Sequence, residues 1–415
     1  MKRPIAISLS PNSEKDDVIL ALKLLFSPIQ WFNFRKTEDL EKQLSKIFGS
    51  DYKAIAVNSG RSALYLILKT LGIGQGDEVC LQALTCVAVP NSILWLKAKP
   101  VYIDVDNSFN LEPKDLSEKL SENTRAIIVQ HSFGIPADLD KIKKFTQGRK
   151  ITLIEDCALS LGGKFNNKLL GTIGDVSFFS FGRDKVISSI FGGFILCKDK
   201  KLCKKLLEER DKLNYPGARW VIQQLLHPIL FSIILPLYNF GLGKTTFGKM
   251  MLFLFQKFGL LSKSVYRQEE IGKQPKVFPT KLPGALSILA LNQLYKLDKF
   301  NNHRKEIANF YFKKLKVPNI KLPNKREGAV WVRFPIISEK AMKIFECLKK
   351  NGVLVGDWYK DIVVPVKNLS MVGYERGSCP NAQKLVGKIL NLPTYPSLSK
   401  KDAEKVVHLI ESCLN

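Results

Sequence analysis

Histidine is scarce in this chain. Four His and eight Cys stand among 415 residues, and no two of the cysteines (Cys80, Cys86, Cys157, Cys197, Cys203, Cys347, Cys379, Cys413) form a Cys-x-x-Cys pair. Zinc-type ligand spacing is therefore absent and no metal site is expected. The cysteines read as free thiols of a reducing compartment. The opening stretch, MKRPIAISLSPNSEKDD, lacks an apolar run of signal-peptide length, so a cytoplasmic location is expected. Internal repeats are missing too, which sets aside a solenoid. Acidic residues are outnumbered, 38 against 64 Lys+Arg, for a net charge of +26. Such a balance suits nucleic acid, anionic lipid or a phosphorylated substrate. The lysines are scattered, however, with no arginine-rich tract and no interleaving of aromatic and basic residues, so no nucleic-acid partner is expected. A diffuse lysine bias of no specific function fits equally well.

What is present is apolar residue in quantity, 45% of the chain, enough for a large core and two domains. Between residues 54 and 197, short apolar runs alternate with helical patterns: AIAVNSG, EVCLQAL, KPVYIDV, AIIVQHSFG, ITLIEDCA, VSFFSF and GGFILC. Continuous runs of this kind predict a buried, mostly parallel seven-stranded sheet flanked by helices, an α/β large domain over residues 1–300. An amphipathic helix, LNQLYKLDKFNNHRKEIANFYFKKL, leads into a smaller C-terminal α+β domain over 301–415, with helices at KAMKIFECLKKNG and KKDAEKVVHLIESCL.

The segment 219–263 stands apart. Its two apolar stretches, 221–240 and 247–261, are interrupted by Gln223, Gln224, His227, Pro228 and Pro236 and by Lys249, Gln256 and Lys257. Kinked apolar helices with basic and aromatic borders predict an interfacial hairpin, lying on a membrane rather than spanning it. A hairpin that packs on a partner subunit or caps an active site fits the same pattern.

Three short stretches carry chemistry. In AIAVNSGRSALYL a strand ends at Asn58-Ser59-Gly60 and a helix begins at once. Its free first amides, with Arg61 adding charge, make a phosphate cradle, although many strand-to-helix turns look alike. In ITLIEDCALSLGG, Glu155 and Asp156 end a buried strand, where open α/β sheets bind ligands. An acid there can hold the protonated ring nitrogen of pyridoxal phosphate (PLP), or can be a helix cap. In DVSFFSFGRDKVISSIFGGFILC a strand with Ser180 runs into a loop with Lys185, placed to condense with an aldehyde.

In this order the stretches resemble the DegT/StrS-type sugar aminotransferases, PLP enzymes of the aspartate-aminotransferase fold (fold type I). VAVPNSI with KAKPVYIDVD, HSFGIPADLDKI, LALNQLYKLDKFNNHR and CPNAQKL…LNLPTYPSLS add to the likeness, which covers residues 40–215 and 280–415. The resemblance implies a catalytic Schiff-base lysine at Lys185, a ring-nitrogen partner at Asp156, and phosphate contacts from Ser180 and the main chain of Gly60 and Arg61. It further implies transfer of an amino group from L-glutamate to the 3- or 4-keto group of a nucleotide-linked sugar, by a homodimer. Together with the hairpin, it implies a place at the inner membrane face. Some positions depart from the family. Cys86 stands where an aromatic ring usually stacks on the cofactor, Leu159 replaces a Gln or His, and Phe191 replaces an acid. Pro279 and Lys281 replace an Asn and an Arg. These departures keep two further readings open: a dehydratase-like PLP enzyme, against which Lys185 speaks, and a membrane-associated scaffold or sensor on the same fold.

Overall fold

The computed structural model describes residues 3–241 and 246–414. The apolar runs become the strands of one sheet: β1 Lys53–Val57, β2 Glu78–Gln82, β3 Lys99–Ile103, β4 Thr124–Gln130, β5 Thr152–Asp156, β6 Val176–Ser180 and β7 Gly193–Cys197. Their order is β1-β7-β6-β5-β4-β2-β3. β6, β5, β4, β2 and β3 pair in parallel, whereas β7 runs antiparallel to both neighbours. Both faces are covered, and residues 54–57 and 193–197 are buried throughout, which is why these strands read as unbroken apolar runs. The expected mostly parallel, seven-stranded α/β fold is therefore what the chain adopts.

The helices that matter below are α1 Lys15–Leu25, α2 Gly60–Thr70, α3 Ala218–Leu237, α4 Phe247–Lys257, α5 Gly284–Leu294, α6 Leu297–Lys314, α7 Ala341–Lys350 and α8 Lys400–Leu414. The single helix expected over 291–315 is divided at Tyr295–Lys296 between α5 and α6. The Lys296 ammonium there reaches Asp16 at 2.5 Å and Asp17 at 3.3 Å, tying the break to α1. Towards the C-terminus, β8 Arg333–Ile337 pairs antiparallel with β9 Ile389–Pro393. Ile5–Ala6 pairs in parallel with Val353–Leu354, so the start of the chain is stitched to its last third.

The hairpin expected over 219–263 is made of α3 and α4; residues 242–245, which join them, lie outside the described residues. α3 is long and apolar enough to cross a membrane. Even so, its face of Val221, Gln224, Leu225, His227, Phe231 and Ile234 is buried in the protein. Polar groups on that face find partners there: Ser262 Oγ donates to Gln224 Oε1 at 2.7 Å, and His227 Nε2 lies 3.0 Å from Ser10 Oγ. The polar residues that interrupt the apolar run are thus its inward-facing ones.

The expectation about the cysteines fails. The cysteines do not all remain thiols, because Cys347 on α7 and Cys413 on α8 form a disulfide with Cα atoms 6.0 Å apart. Ile344 and Leu348 on α7 and Val406 and Ile410 on α8 are buried in one core, and that packing brings the two positions together. No local sequence spacing could announce a pair separated by 66 residues. Alkylating the denatured protein without reductant should modify six cysteines, and all eight only after reduction. Eight modified without reductant would show that the pair is open.

Candidate active site

The sheet order dictates where the chemistry gathers. Ser180, at the end of β6, is in register with Gly193 at the start of β7, and Gly193 is in turn in register with Val57 at the end of β1. Asp156 ends β5, beside Phe178 of β6. Four strand ends thus converge, and they open into a cavity of about 550 Å³ lined by Gly60, Arg61, Cys86, Asp156, Ser180 and Lys185. All six residues singled out in the sequence are therefore brought together.

The turn after β1 is held tightly. Ser59 caps α2, its Oγ accepting from Ser62 N at 3.1 Å. Beside it the backbones approach so closely that only glycine fits. A Cβ on Gly193 would lie 2.5 Å from Phe179 O and 2.7 Å from Gly60 N, and one on Gly60 would lie 3.1 Å from Ser180 Cβ. The result is a shallow cradle where the first amides of α2 face the Ser180 hydroxyl.

The charge expected from Arg61 is spent elsewhere, and this is a correction. Its guanidinium pairs with Glu269, donates to Ser264 O at 2.8 Å and lies 4.7 Å from the centroid of Phe278. With Glu269 fully buried, the positive charge is balanced inside the protein, leaving the main chain of Arg61 to face the cradle. The same ion pair clamps the segment that follows α4 over the turn.

Burial pushes the Asp156 carboxyl up, opposed by the Ala158 N–H, which donates to Oδ1 at 3.0 Å, and by the nearby Lys185 charge. A buried acid with one protein donor and an open side toward the cavity suits a cationic ring N–H. Next to it, Glu155 turns the other way. It accepts from Gly171 N at 2.8 Å and from Ile173 N and Gly174 N at 2.7 Å, while His131 Nε2 lies at 3.2 Å. His131 Nδ1 accepts from Ala137 N at 3.2 Å, so Nε2 carries the proton shared with Glu155. Burial pushes the Glu155 carboxyl up, but the His131 hydrogen bond and these backbone donors outweigh it and hold it below its usual range. Of the paired acids, one braces the strand end and the other faces the cavity.

Lys185 is held through its main chain. Lys185 N donates to Gly182 O at 3.2 Å, and Asn12 Nδ2 donates to Lys185 O. On one side Asp184 pairs with Arg333, whose guanidinium stacks 3.9 Å from the Trp358 ring. On the other, buried Arg304 donates to Val186 O at 2.7 Å and to Asn12 Oδ1 at 3.1 Å. Burial without a carboxylate partner pulls Arg304 down to about 9.

The departures have local explanations. Phe191 joins an aromatic cluster with Trp220 (5.5 Å), Phe278 (6.1 Å) and Tyr266 (6.5 Å) and carries Arg183 over its face at 5.6 Å. Trp220 belongs to α3, so an aromatic in place of the acid is what docks the hairpin. Leu159 is buried, with its carbonyl tight against Gly134. Burial raises the Cys86 thiol, which therefore stays a neutral group against the cavity. Lys281 lies over the Tyr215 ring at 5.8 Å, and Pro279 precedes Thr280, which is bonded to Asn58 at the turn. Sequence reasoning missed Gln130, Arg183, Trp358, Tyr359, Lys263 and Lys360 on the cavity wall. Gln130 ends the apolar run of β4 and Arg183 follows Gly182 in the Lys185 loop, so the signals that found the others could have found these two. The other four reach the wall only through the packing of remote segments.

Comparisons with known proteins converge on one family. The DegT/DnrJ/EryC1/StrS aminotransferase family model matches residues 13–230 and 246–411, more of the hairpin than the sequence reading allowed. GDP-perosamine synthase of Escherichia coli O157:H7 is 27% identical over 362 residues, 86% of this chain and 84% of that protein. The dTDP-3-amino-3,6-dideoxy-alpha-D-galactopyranose transaminase of Aneurinibacillus thermoaerophilus is 27% identical over 381 residues, 90% of this chain and 89% of that one. Among solved structures, the aminotransferase TlmJ from Streptoalloteichus hindustanus superposes with a TM-score of 0.76 at 22% identity, covering 99% of both chains.

The residues present fit PLP: a cradle that a Cβ would fill, a hydroxyl beside it, a buried acid and a lysine on one cavity. Gly193→Ala should lower affinity for PLP about tenfold or more, because the methyl group displaces the cradle. Unchanged affinity by titration of the absorbance would show that the cradle does not hold the phosphate. Glu155→Gln should destabilise the protein by about 3 kcal/mol at neutral pH. A carboxyl held low when folded stabilises above its unfolded value, roughly pH 4.3, and that contribution is lost as pH falls through the lower folded value. The gap in unfolding free energy between the two proteins should therefore shrink on acidification; a gap constant with pH would contradict the account.

Proposed function

This chain belongs to the DegT/DnrJ/EryC1/StrS aminotransferase family, and we propose that it moves an amino group from L-glutamate to the 3- or 4-keto group of a nucleotide-linked sugar, for glycan or polysaccharide biosynthesis. The family is PLP-dependent and its members transfer amino groups. The observation that carries the substrate reading is the meeting of Lys185, Asp156, Ser180 and the Gly60 turn on one cavity, with the cations Arg183, Lys263 and Lys360 on its walls. Cations of this kind suit a diphosphate, and the relatives' names place GDP and dTDP sugars in their reactions.

Each residue has a role that its setting supports. Bound PLP supplies an electron sink for the carbon that bears the nitrogen. Asp156 holds the ring N–H and keeps its positive charge in place. The amides of Gly60 and Arg61 and the hydroxyl of Ser180 hold the phosphate. Cys86 would offer the ring a small neutral group from the cavity wall. Lys185 would hold the cofactor's aldehyde end and move a proton at the reacting carbon. The lysine is what favours amino transfer over a dehydratase-like or purely scaffolding role. The active form is a homodimer in the cytoplasm.

Purified protein given PLP and L-glutamate should release one equivalent of 2-oxoglutarate per site, and continuous turnover should follow only when a keto sugar nucleotide is added. Lys185→Ala should abolish both, and borohydride should no longer attach the cofactor to the peptide that carries position 185. Absence of any transfer from glutamate to GDP-, dTDP- or UDP-linked 3- and 4-keto sugars would refute the reading.

A further inference from the structure

The outer face of α4 is apolar and exposed, and every charged residue in the stretch that carries it, 212–268, is Lys or Arg. Phe247, Met250, Leu254 and Phe258 recur at helical spacing along one stripe and are 46%, 43%, 37% and 66% exposed. Phe253 beside them is 62% exposed. The opposite face, with Gly248, Met251, Leu252 and Phe255, packs against α3, where Gly248 approaches the backbone of Tyr238 too closely for any Cβ. The orientation of α4 is thereby fixed with its apolar stripe outward. α1, which packs on the same α3, presents a second exposed row: Ile19, Leu22 and Phe26, continued by Ile29. Patches of this kind mark contact surfaces rather than ordinary protein exterior.

The charge around the stripe decides what covers it. From Lys212 to Gln268 no Asp or Glu occurs, whereas Lys and Arg occur seven times. Lys257 lies on α4 itself, with Lys263 and Arg267 just beyond it, and all three are exposed. A second copy placed face to face by a two-fold axis would set these cations against their own counterparts, with no acid from that stretch to pair them. An anionic lipid surface meets both needs, taking the phenylalanine side chains below its headgroups and the lysines among them. α3 does not enter, because its inner face is already in the protein core.

We propose that α4 is a membrane-docking helix that lies on bilayers carrying anionic headgroups, and that the protein is thereby peripheral rather than membrane-spanning. The inference stands apart from the choice of sugar: of the groups it uses only Lys263 also lines the cavity, and none of the substitutions below alters it.

Flotation of the full-length protein with vesicles tests it. The protein should bind vesicles of phosphatidylcholine mixed with phosphatidylglycerol, bind phosphatidylcholine alone far more weakly, and release as salt is raised. Lys257→Glu should lower partitioning about fivefold or more, and Phe253→Ser with Phe258→Ser should remove it. PLP uptake and the thermal midpoint should be unchanged in each variant, which excludes misfolding as the cause. Undiminished flotation of the phenylalanine variant would overturn the proposal. So would a wild type that ignores anionic vesicles while the same substitutions convert a dimer to a monomer, because the stripe would then be a subunit interface.

Discussion

At one end of the sheet, three backbones meet with no room for a side chain. β7 enters antiparallel between β1 and β6, and Gly193 lies where any Cβ would strike Phe179 O and Gly60 N. The cradle at the start of α2, the place of the Ser180 hydroxyl and the route of the loop carrying Lys185 all follow from that approach. Were β7 displaced outward by a single methyl group, the first turn of α2 would no longer face Ser180. The glycine pair before β7 is therefore a packing requirement of the site, beyond being a turn signal.

Around this cradle the fold buries charge in pairs that act as fixtures. Arg61 with Glu269 clamps the segment after α4 to the turn and Asp184 with Arg333 secures one flank of the Lys185 loop, while a buried hydrogen bond from His131 Nε2 to Glu155 braces the end of β5. Burying such pairs adds little net stability, because desolvation offsets attraction, but each fixes one geometry, since leaving either partner alone is costly. Arg304 is the exception. It is buried with no carboxylate and is held by carbonyl and amide oxygens behind Lys185.

The hairpin of α3 and α4 is built into this arrangement. Trp220 packs on Phe191 next to the cradle and donates to Tyr266 OH at 2.9 Å. Gln256, Lys263, Ser264 and Val265 reach the cavity wall, while the other side of α4 faces outward. One segment thus contributes to the cavity and to an exposed apolar surface. Phe191, a departure when taken alone, is the residue on which the hairpin's tryptophan rests.

Much of this was legible in the amino-acid order. Each apolar run became a strand, because a strand buried on both faces must be apolar at every position. Asp156 and Ser180 were found from runs that end in polar residues, and Gly60 from a strand that turns at once into a helix. Other features were not legible, because they depend on residues remote in the chain. The Cys347–Cys413 bond, the diversion of the Arg61 charge to Glu269 and the cavity walls at Arg183, Trp358 and Lys360 arise only when separate segments pack together. The sequence by itself determined the elements and the identity of the reactive groups, since hydrophobic periodicity and side-chain chemistry are local. Only the tertiary structure decided which charges neutralise one another, which apolar face stays exposed and which groups share the cavity, because those outcomes depend on distances that folding alone sets.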